Sequence, residues 1–394
     1  MRALRIIFAF CLLPVLRLGA VYAPIPEVEQ GKALTVYLST GVFYDSNIFG
    51  GSVNEVSSYV YQLNPNIAFN ASIDGRTLAS AAYRLSYDYM PDRPGKKSLD
   101  SHEFMARLAH TFTPQMELDF SDTYQIAKNP ESLLPGLATV VNTDQSFSRN
   151  QFDSRFAMSL TKRTGLTFKG RHTRYAFADD VLADSLDRSE LLVGVTASQT
   201  VLPLLQTMLE YRHLDIRYDT EGRTKNKRSD FFLLGLDRAL NARFSVSGRL
   251  GVEQRRRASE RSDTLPYAEL GLKLDYGQGS YVSVGYGYSV EETSNTELYT
   301  DMSVNRCFLN LQQMLTPKFA LTGSLTWEPS RLHGRQGVRP DQSETNTQLG
   351  GAFVYRPTRR WSVSLTVDYD RISSDDRDRA LKRTRAGLST KYVF

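Results

Sequence analysis

Acidic and basic residues recur along this sequence at even separations, as in Arg84 with Asp88 and Glu103 with Arg107. Residues two or four positions apart share one face of a β-strand. If that face lines water, rings of arginine against aspartate or glutamate can set the ion selectivity of a pore. The same residues can instead pair across neighbouring strands and stabilise a wall. Both interpretations stay open, although the mixed signs argue against a strong anion or cation filter. The candidate lumen residues are Arg84, Asp88, Glu103, Arg107, Arg155, Arg171, Arg249, Glu269 and Arg385.

The residue types that catalysis or metal binding would need are scattered along the sequence. His102-Glu103 begins like a zinc-protease motif, but Ala106 stands where the second histidine would be, and the segment is predicted to be a strand. The sequence has no Gly-x-Ser-x-Gly, Walker-type or Gly-x-Gly-x-x-Gly motif. His110 shares an apolar face with Leu108, and we see no serine nucleophile beside it. We therefore predict no catalytic residue, no metal site and no cofactor, and an enzyme is the least favoured class.

Residues 1–23 are predicted to be a secretory signal peptide, because Arg2 and Arg5 precede a short apolar run and small residues follow it. Loss of this segment, which also contains Arg17, leaves 45 basic against 43 acidic side chains, so nucleic acid is not an expected partner. Cys307 is then the one cysteine, which excludes an intramolecular disulfide. It shares the apolar face of Leu309 and is predicted to be a small apolar filler. Residues 24–32 are predicted to form a short periplasmic segment.

From residue 33 onward, apolar and polar residues alternate with a period of two, as in Tyr59, Tyr61 and Leu63. This spacing puts the apolar side chains on one face of a sheet. Short turns such as Asp74-Gly75 alternate with longer polar connections, with a spacing of about 40 residues between hairpins. The pattern predicts nine hairpins, or about eighteen antiparallel strands. The segment 207–218 shifts its apolar parity, and we expect a β-bulge there.

The predicted strands are about 10–14 residues long, whereas an average strand has about 5–6 residues and a tilted membrane-crossing strand needs about 9–11. Their polar faces are rich in charge. An even-stranded antiparallel barrel with an apolar outside and a wet interior explains both features, and closure leaves no unpaired edge in lipid. Tyrosines near strand ends would form the aromatic girdles at the membrane boundary. The predicted fold is all-β: a transmembrane antiparallel up-and-down β-barrel of the outer-membrane type, about 18 strands within residues 33–394, surrounded by outer-membrane lipid.

The last residues of the chain alternate up to a terminal aromatic. Leu388, Thr390, Tyr392 and Phe394 share one face, which is predicted to contact lipid. This stretch resembles the closing-strand signal of bacterial outer-membrane barrels, and the resemblance implies recognition by the outer-membrane barrel assembly machinery. The last strand is predicted to span about residues 380–394 and to pair back with residues 34–45.

Residues 41–49, Gly-Val-Phe-Tyr-Asp-Ser-Asn-Ile-Phe, resemble the end of the first strand in the beta-barrel porin type 2 family. The matching residues are Tyr44, Asp45, Asn47, Ile48 and Phe49. The resemblance implies a bacterial outer-membrane protein that accompanies exopolysaccharide synthesis and export, with polysaccharide and its export proteins as partners. Asp45 and Asn47 could bind a cation or a sugar, but they are better explained as turn residues that bond to their own backbone.

The longest connection, residues 128–146, is also the most apolar. It resembles, by position and composition, the third outer loop of general porins, which folds inward. We therefore predict that it narrows the lumen, with a lid on the rim or a partner contact as alternatives. The apolar residues concerned are Leu133, Leu134, Leu137, Val140 and Val141.

A barrel of 16–18 strands encloses an aqueous channel. The sequence therefore favours a porin-like channel or conduit, with export of polysaccharide implied only by the resemblance. The parity of the strands puts most aromatic residues outside, which counts against a sugar path along the lumen. A non-conducting scaffold that docks periplasmic or surface partners stays open.

Overall fold

The computed structural model describes residues 33–52, 55–127, 146–220, 225–257, 262–291, 298–335 and 338–394. The predicted signal peptide and periplasmic segment lie outside these residues. Within them, eighteen antiparallel strands form one sheet in which β1 pairs with both β2 and β18, so the sheet closes into a barrel. The prediction of an antiparallel barrel of about eighteen strands is confirmed. The strands are β1 Leu34–Asp45, β2 Ser58–Asp74, β3 Thr77–Tyr89, β4 Ser98–Thr113, β5 Met116–Ala127, β6 Phe147–Ser159, β7 Thr164–Phe177, β8 Arg188–Leu202, β9 Leu205–Tyr218, β10 Lys227–Ala239, β11 Phe244–Arg257, β12 Asp263–Gly277, β13 Ser280–Glu291, β14 Tyr299–Met314, β15 Phe319–Gly334, β16 Gln342–Tyr355, β17 Trp361–Ser374 and β18 Leu381–Val393.

The alternating apolar residues form the outer surface of the barrel. Tyr59, Leu250 and Leu365 are 53%, 56% and 54% exposed, whereas Ser58 and Val60, which flank Tyr59 on β2, are buried. Each such side chain would lose about 1.5–3 kcal/mol by staying in water rather than in an apolar phase. A belt of these residues around the whole barrel matches the hydrocarbon layer of a bilayer.

Outer-membrane barrels have short periplasmic turns and longer extracellular loops, so the end with the longer connections is assigned as extracellular and the end with the short turns as periplasmic. A short helix covers part of the extracellular end. The helix α1 (Asp180–Leu186) follows β7. Its Leu186 is buried against Phe147, Tyr175 and Phe177, which face inward at the ends of β6 and β7. Seven residues are too few to show a helical period in the sequence. Among the described residues, no helix is long and apolar enough to cross a membrane.

The bulge predicted within residues 207–218 is wrong. β9 pairs with β10 in unbroken register from Leu205 to Ile216. The parity shift arises because the extracellular end of β9 reverses the usual distribution of side chains. Ile216 and Tyr218 face inward and are buried, while Asp215 and Arg217 face outward.

Glycines at the seam allow β1 and β18 to approach closely. The ring of Phe43 on β1 lies over Gly387 on β18, its register partner. A Cβ atom at position 387 would lie 2.4 Å from the carbonyl oxygen of Val42, so a larger residue does not fit there. The seam continues to the end of the chain, where the Phe394 N–H donates to the Val36 carbonyl over 2.9 Å. The predicted pairing of the last strand with residues 34–45 is confirmed.

One ladder ends well below the extracellular rim. Pairing between β12 and β13 stops at Ala268 and Tyr288, although β12 begins at Asp263 and β13 runs to Glu291. If the register continued, the next hydrogen-bonded position on β12 would fall at Pro266, which has no N–H to donate. Arg255 of β11 instead donates to the Val290 carbonyl from its guanidinium over 2.5 Å.

Deletion of Phe394 should impair insertion and assembly before it alters any property of the inserted barrel, because it removes both the terminal ring and the hydrogen bond to Val36. The measurement is the fraction of protein in outer membranes that shows a heat-dependent gel mobility shift. Phe394→Tyr, which keeps the ring and the N–H, is the matched control and should assemble normally. A deletion variant that assembles at the wild-type level would contradict the prediction.

Candidate functional site in the barrel lumen

All nine candidate lumen charges face inward, and several form ion pairs between neighbouring strands. Arg84 Nη1 lies 3.0 Å from Glu103 Oε1, and Arg171 Nε lies 2.6 Å from Asp153 Oδ1. Arg107 Nε donates to Asp119 Oδ1 over 3.0 Å. These contacts join β3 to β4, β6 to β7 and β4 to β5. Their geometry matches the wall-stabilising interpretation of the charges.

The other candidates also have polar partners on the same wall. These partners are Glu117 for Arg155 (3.7 Å), Glu210 for Arg249 (3.4 Å), Asp370 for Arg385 (4.0 Å), Gln62 for Asp88 (3.0 Å) and the Tyr267 hydroxyl for Glu269. Pairing alone therefore does not distinguish a structural charge from one that acts on a solute. The distribution of sign around the barrel gives a further criterion.

Positive and negative side chains are segregated around the circumference of the lumen. On the described strands, the inward face of β6–β11 has ten basic and five acidic side chains. The remaining strands have seven basic and thirteen acidic side chains on their inward faces. The two sectors lie on different parts of the inner wall, so they create a transverse electric field across the lumen. The ten basic residues are Arg149, Arg155, Lys169, Arg171, Arg188, Arg212, Lys227, Arg249, Arg255 and Arg257.

A cluster around Glu210 is the densest part of the basic sector. Glu210 is 2% exposed, and its carboxylate is 2.8 Å from Arg212 Nε, 3.4 Å from Lys169 Nζ and 3.4 Å from Arg249 Nε. Three cations thus contact one carboxylate, and the carboxylate of Asp237 on β10 lies 4.0 Å from Arg249 Nη2. The cluster keeps an excess of positive charge at the wall.

Cations and aromatic rings alternate at the extracellular end of the same sector. Arg188 lies 4.2 Å from the ring centre of Tyr175 and 5.9 Å from that of Tyr218. Arg149 lies 5.7 Å from the ring centre of Tyr175, and Lys225 lies 5.6 Å from the ring centre of Tyr218. Cation–π contacts of this kind stabilise cations that are partly removed from water. Tyr175 and Tyr218 are only 6% and 4% exposed, so their rings offer little free surface.

Sequence reasoning missed Lys169, Glu210 and Arg212 as a group. The signal was present in the parity shift of residues 207–218, which we interpreted as a bulge. With β9 in unbroken register, its even-numbered residues face inward throughout, so Glu210 and Arg212 point into the lumen and meet Lys169 of β7.

Asp45 and Asn47, two of the residues that resemble the porin family motif, stabilise the extracellular end of β1. Asp45 Oδ1 accepts hydrogen bonds from the Asn47 N–H (2.9 Å) and from Arg383 Nε (3.0 Å), and Asp45 is fully buried. The side-chain amide of Asn47 donates to the carbonyl oxygens of Gly51 and Lys382. This geometry favours the turn interpretation, because the Asp45 carboxylate is already engaged by Arg383.

The other motif residues add apolar contacts to the same turn. Ile48 is buried with Val60, Met90 and Leu99, and the Phe49 ring packs against that group. Arg93 lies 5.1 Å from the centre of the Phe49 ring. Tyr44 faces outward and contacts Tyr59 edge to face.

The remaining predicted sites divide between described and undescribed residues. Leu133, Leu134, Leu137, Val140 and Val141 lie outside the described residues. Leu388, Tyr392 and Phe394 are exposed on the outer face, as predicted for the last strand, and Thr390 shares that face.

The outward His110 has a structural and an apolar neighbour. His110 faces outward and bonds to Thr77 through Nδ1 over 2.8 Å, beside the ring of Phe112. Cys307 is half-buried. Among the described residues, no group of three or more histidine, cysteine, aspartate or glutamate side chains could hold a metal ion.

The closed eighteen-stranded sheet, its apolar outer belt and its charged inner wall define a transmembrane β-barrel of the outer-membrane type. The sequence matches no protein-family model and no curated protein. The resemblance to the beta-barrel porin type 2 family is therefore not confirmed.

Solved structures with a similar arrangement include siderophore receptors and an iron transporter. The siderophore receptor PirA from Pseudomonas aeruginosa is 10% identical, with a TM-score of 0.48, covering 93% of this chain and 81% of PirA. The FrpB iron transporter from Neisseria meningitidis is 11% identical, with a TM-score of 0.48, covering 92% and 67%. The ferric-catecholate import receptor Fiu from E. coli is 10% identical, with a TM-score of 0.46, covering 93% and 82%. At these values the likeness assigns no substrate to this chain.

Replacement of Asp45 by alanine should destabilise the barrel by about 3–5 kcal/mol, because it leaves Arg383 at a buried position without its carboxylate. Unfolding in urea, followed by tryptophan fluorescence in lipid vesicles, measures the change. Arg331→Ala is the matched control: it removes an exposed ion pair to Asp341, 3.1 Å long, and should cost about 1 kcal/mol or less. Equal effects of the two variants would show that the seam does not depend on the Asp45–Arg383 pair.

Proposed function

We propose that this chain forms a water-filled channel in the bacterial outer membrane that admits small polar solutes with weak ion selectivity. The observation that carries the proposal is the segregation of charge between the two sectors of the lumen. A barrel of this strand number encloses an aqueous path, and charged side chains along that path act directly on a passing solute. The two sectors nearly balance in total charge, so selectivity between cations and anions stays weak.

The transverse field gives the channel a second property. A solute that carries both a positive and a negative group gains energy when it aligns with the field, whereas an apolar solute of the same size does not. The ordered pairs along each wall hold the charged side chains in place, so the field does not depend on mobile side chains. The channel therefore favours charged and dipolar solutes over apolar ones.

Polysaccharide as the cargo rests on the resemblance of residues 41–49 alone. Exposed aromatic rings along the lumen would favour a sugar polymer, but strand alternation puts most aromatic side chains of the described strands on the outer face. Tyr175 and Tyr218, which face inward within the cation–aromatic group of the basic sector, are buried by neighbouring cations. We therefore propose small solutes rather than a polymer. A non-conducting scaffold is the competing function, and it predicts no channels in a planar bilayer.

Opposite shifts in reversal potential should follow when the two sectors are neutralised separately. Arg155→Gln with Arg171→Gln removes two cations from the basic sector and should shift selectivity toward cations. Asp368→Asn with Asp370→Asn removes two carboxylates from the opposite sector and should shift it toward anions. Planar-bilayer recordings under a salt gradient measure both, and each pair of substitutions serves as the control for the other. Unchanged potentials in both variants would exclude the lumen as the conducting path.

Deletion of residues 132–141 should raise the single-channel conductance, because this apolar segment is predicted to narrow the lumen. The heat-dependent gel shift of the deletion variant controls for an intact barrel. A conductance equal to that of the full chain would contradict the prediction that this segment narrows the lumen. An absence of channels in both proteins would favour the non-conducting scaffold.

A further inference from the structure

Asp122 faces outward on β5 at a depth where the other strands present apolar side chains. It lies six residues above Met116, the periplasmic end of β5. A strand tilted by about 40° rises about 2.5 Å per residue along the membrane normal, so Asp122 is about 15 Å above that end. The apolar belt of an outer-membrane barrel is about 25 Å tall. Asp122 therefore lies within the belt, well away from either boundary.

No other described strand has such a charge at this level. On the described strands, Asp122 is the one outward aspartate, glutamate, lysine or arginine that lies more than three and fewer than nine residues from the periplasmic end of its strand. Ionisable groups within a membrane span normally face protein or water, because hydrocarbon cannot solvate them. The position therefore indicates that protein covers this part of the outer face.

The side chains around Asp122 suit a protein contact. Asn150 of β6 donates to both carboxylate oxygens over 3.2 and 3.3 Å, which fixes the carboxylate on the outer face without enclosing it. Ala106 is the register partner of Asp122 on β4, and Ser154 and Gly170 pair with each other on β6 and β7 one outward-facing position nearer the periplasm than Phe152 and His172. Small residues on a membrane-facing surface allow a second protein surface to approach closely.

The same face offers a partner for the carboxylate. Asp122, Phe152 and His172 are successive register partners on β5, β6 and β7, so Asp122 and His172 are two strands, or about 10 Å, apart. Phe152 and His172 are both exposed. A two-fold axis along the membrane normal beside Phe152 would set β5 of one copy against β7 of the other. Asp122 lies six and His172 eight residues above the periplasmic ends of their strands, so each Asp122 would lie about 5 Å below His172 of the other copy along the membrane normal. The two side chains together can span this offset, which makes the surface complementary to itself.

We propose that the outer face of β4–β7, comprising Ala106, Asp122, Phe152, Ser154, Gly170 and His172, binds a second copy of this chain as a two-fold dimer. The contact places each Asp122 carboxylate beside an imidazole instead of in hydrocarbon. Ala106, Ser154 and Gly170 let the two barrels approach within side-chain reach. The proposal is independent of whether the lumen conducts.

Disulfide cross-linking in native outer membranes tests the contact directly. In a Cys307→Ala background, Phe152→Cys lies next to the proposed axis and should give a disulfide-linked dimer on oxidation. Leu349→Cys is the matched control, since Leu349 faces outward six residues above the periplasmic end of β16 and is 45% exposed. We expect at least a fivefold higher dimer yield for Phe152→Cys. Equal yields, or cross-linking of Phe152→Cys mainly to a different protein, would overturn the proposal.

Replacement of Asp122 separates a contact residue from a carboxylate that simply faces lipid. Asp122→Leu should reduce the Phe152→Cys dimer several-fold, and His172→Leu should do the same from the other side of the contact. Asp122→Asn, which keeps a hydrogen-bonding group, should reduce it less. If both leucine variants cross-link as well as the parent, and Asp122→Leu also raises the temperature of the gel shift, Asp122 faces lipid and the proposal is wrong.

Discussion

A backbone amide or carbonyl without a partner in hydrocarbon costs several kcal/mol, and this constraint determines the rest of the structure. A sheet can meet it only by closing on itself. Closure brings the first and last strands into register from Tyr37 with Val393 to Asp45 with Arg385. The glycine at position 387 and the buried Asp45–Arg383 pair are local means of holding that junction.

Closure also decides where polar side chains can go. With lipid outside, the membrane-spanning part of the strands must direct most of its charged residues inward, and the wall can hold them only if neighbouring charges pair or remain hydrated. Pairing along one strand, as with Arg212 and Glu210, or between neighbouring strands, as with Arg84 and Glu103, satisfies many of them. The surplus of each sign accumulates on opposite sides of the lumen, so the electrical asymmetry of the interior follows from the same alternation that makes the exterior apolar.

Much of this architecture could be predicted because a strand period of two and the residues of tight turns are local signals. Strand number, the faces of the strands and the pairing of β18 with β1 all follow from them. The charge segregation could not be seen from pairs such as Arg107 and Asp119, because it emerges only when six successive strands are considered together. The Glu210 cluster was hidden by a parity shift that a bulge would also explain. Helix α1 is too short for its periodicity to show.

The early end of the β12–β13 ladder gives the two rims of the barrel different mechanical character. The periplasmic rim is a closed hoop of backbone hydrogen bonds. At the extracellular rim, β12 and β13 have no backbone pairing beyond Ala268 and Tyr288, and the guanidinium of Arg255 donates to the Val290 carbonyl there instead. The extracellular end is therefore interrupted at one strand pair and held together there by a side-chain hydrogen bond. Under lateral pressure, bending of the extracellular end concentrates at this interruption, while the periplasmic end keeps its circumference.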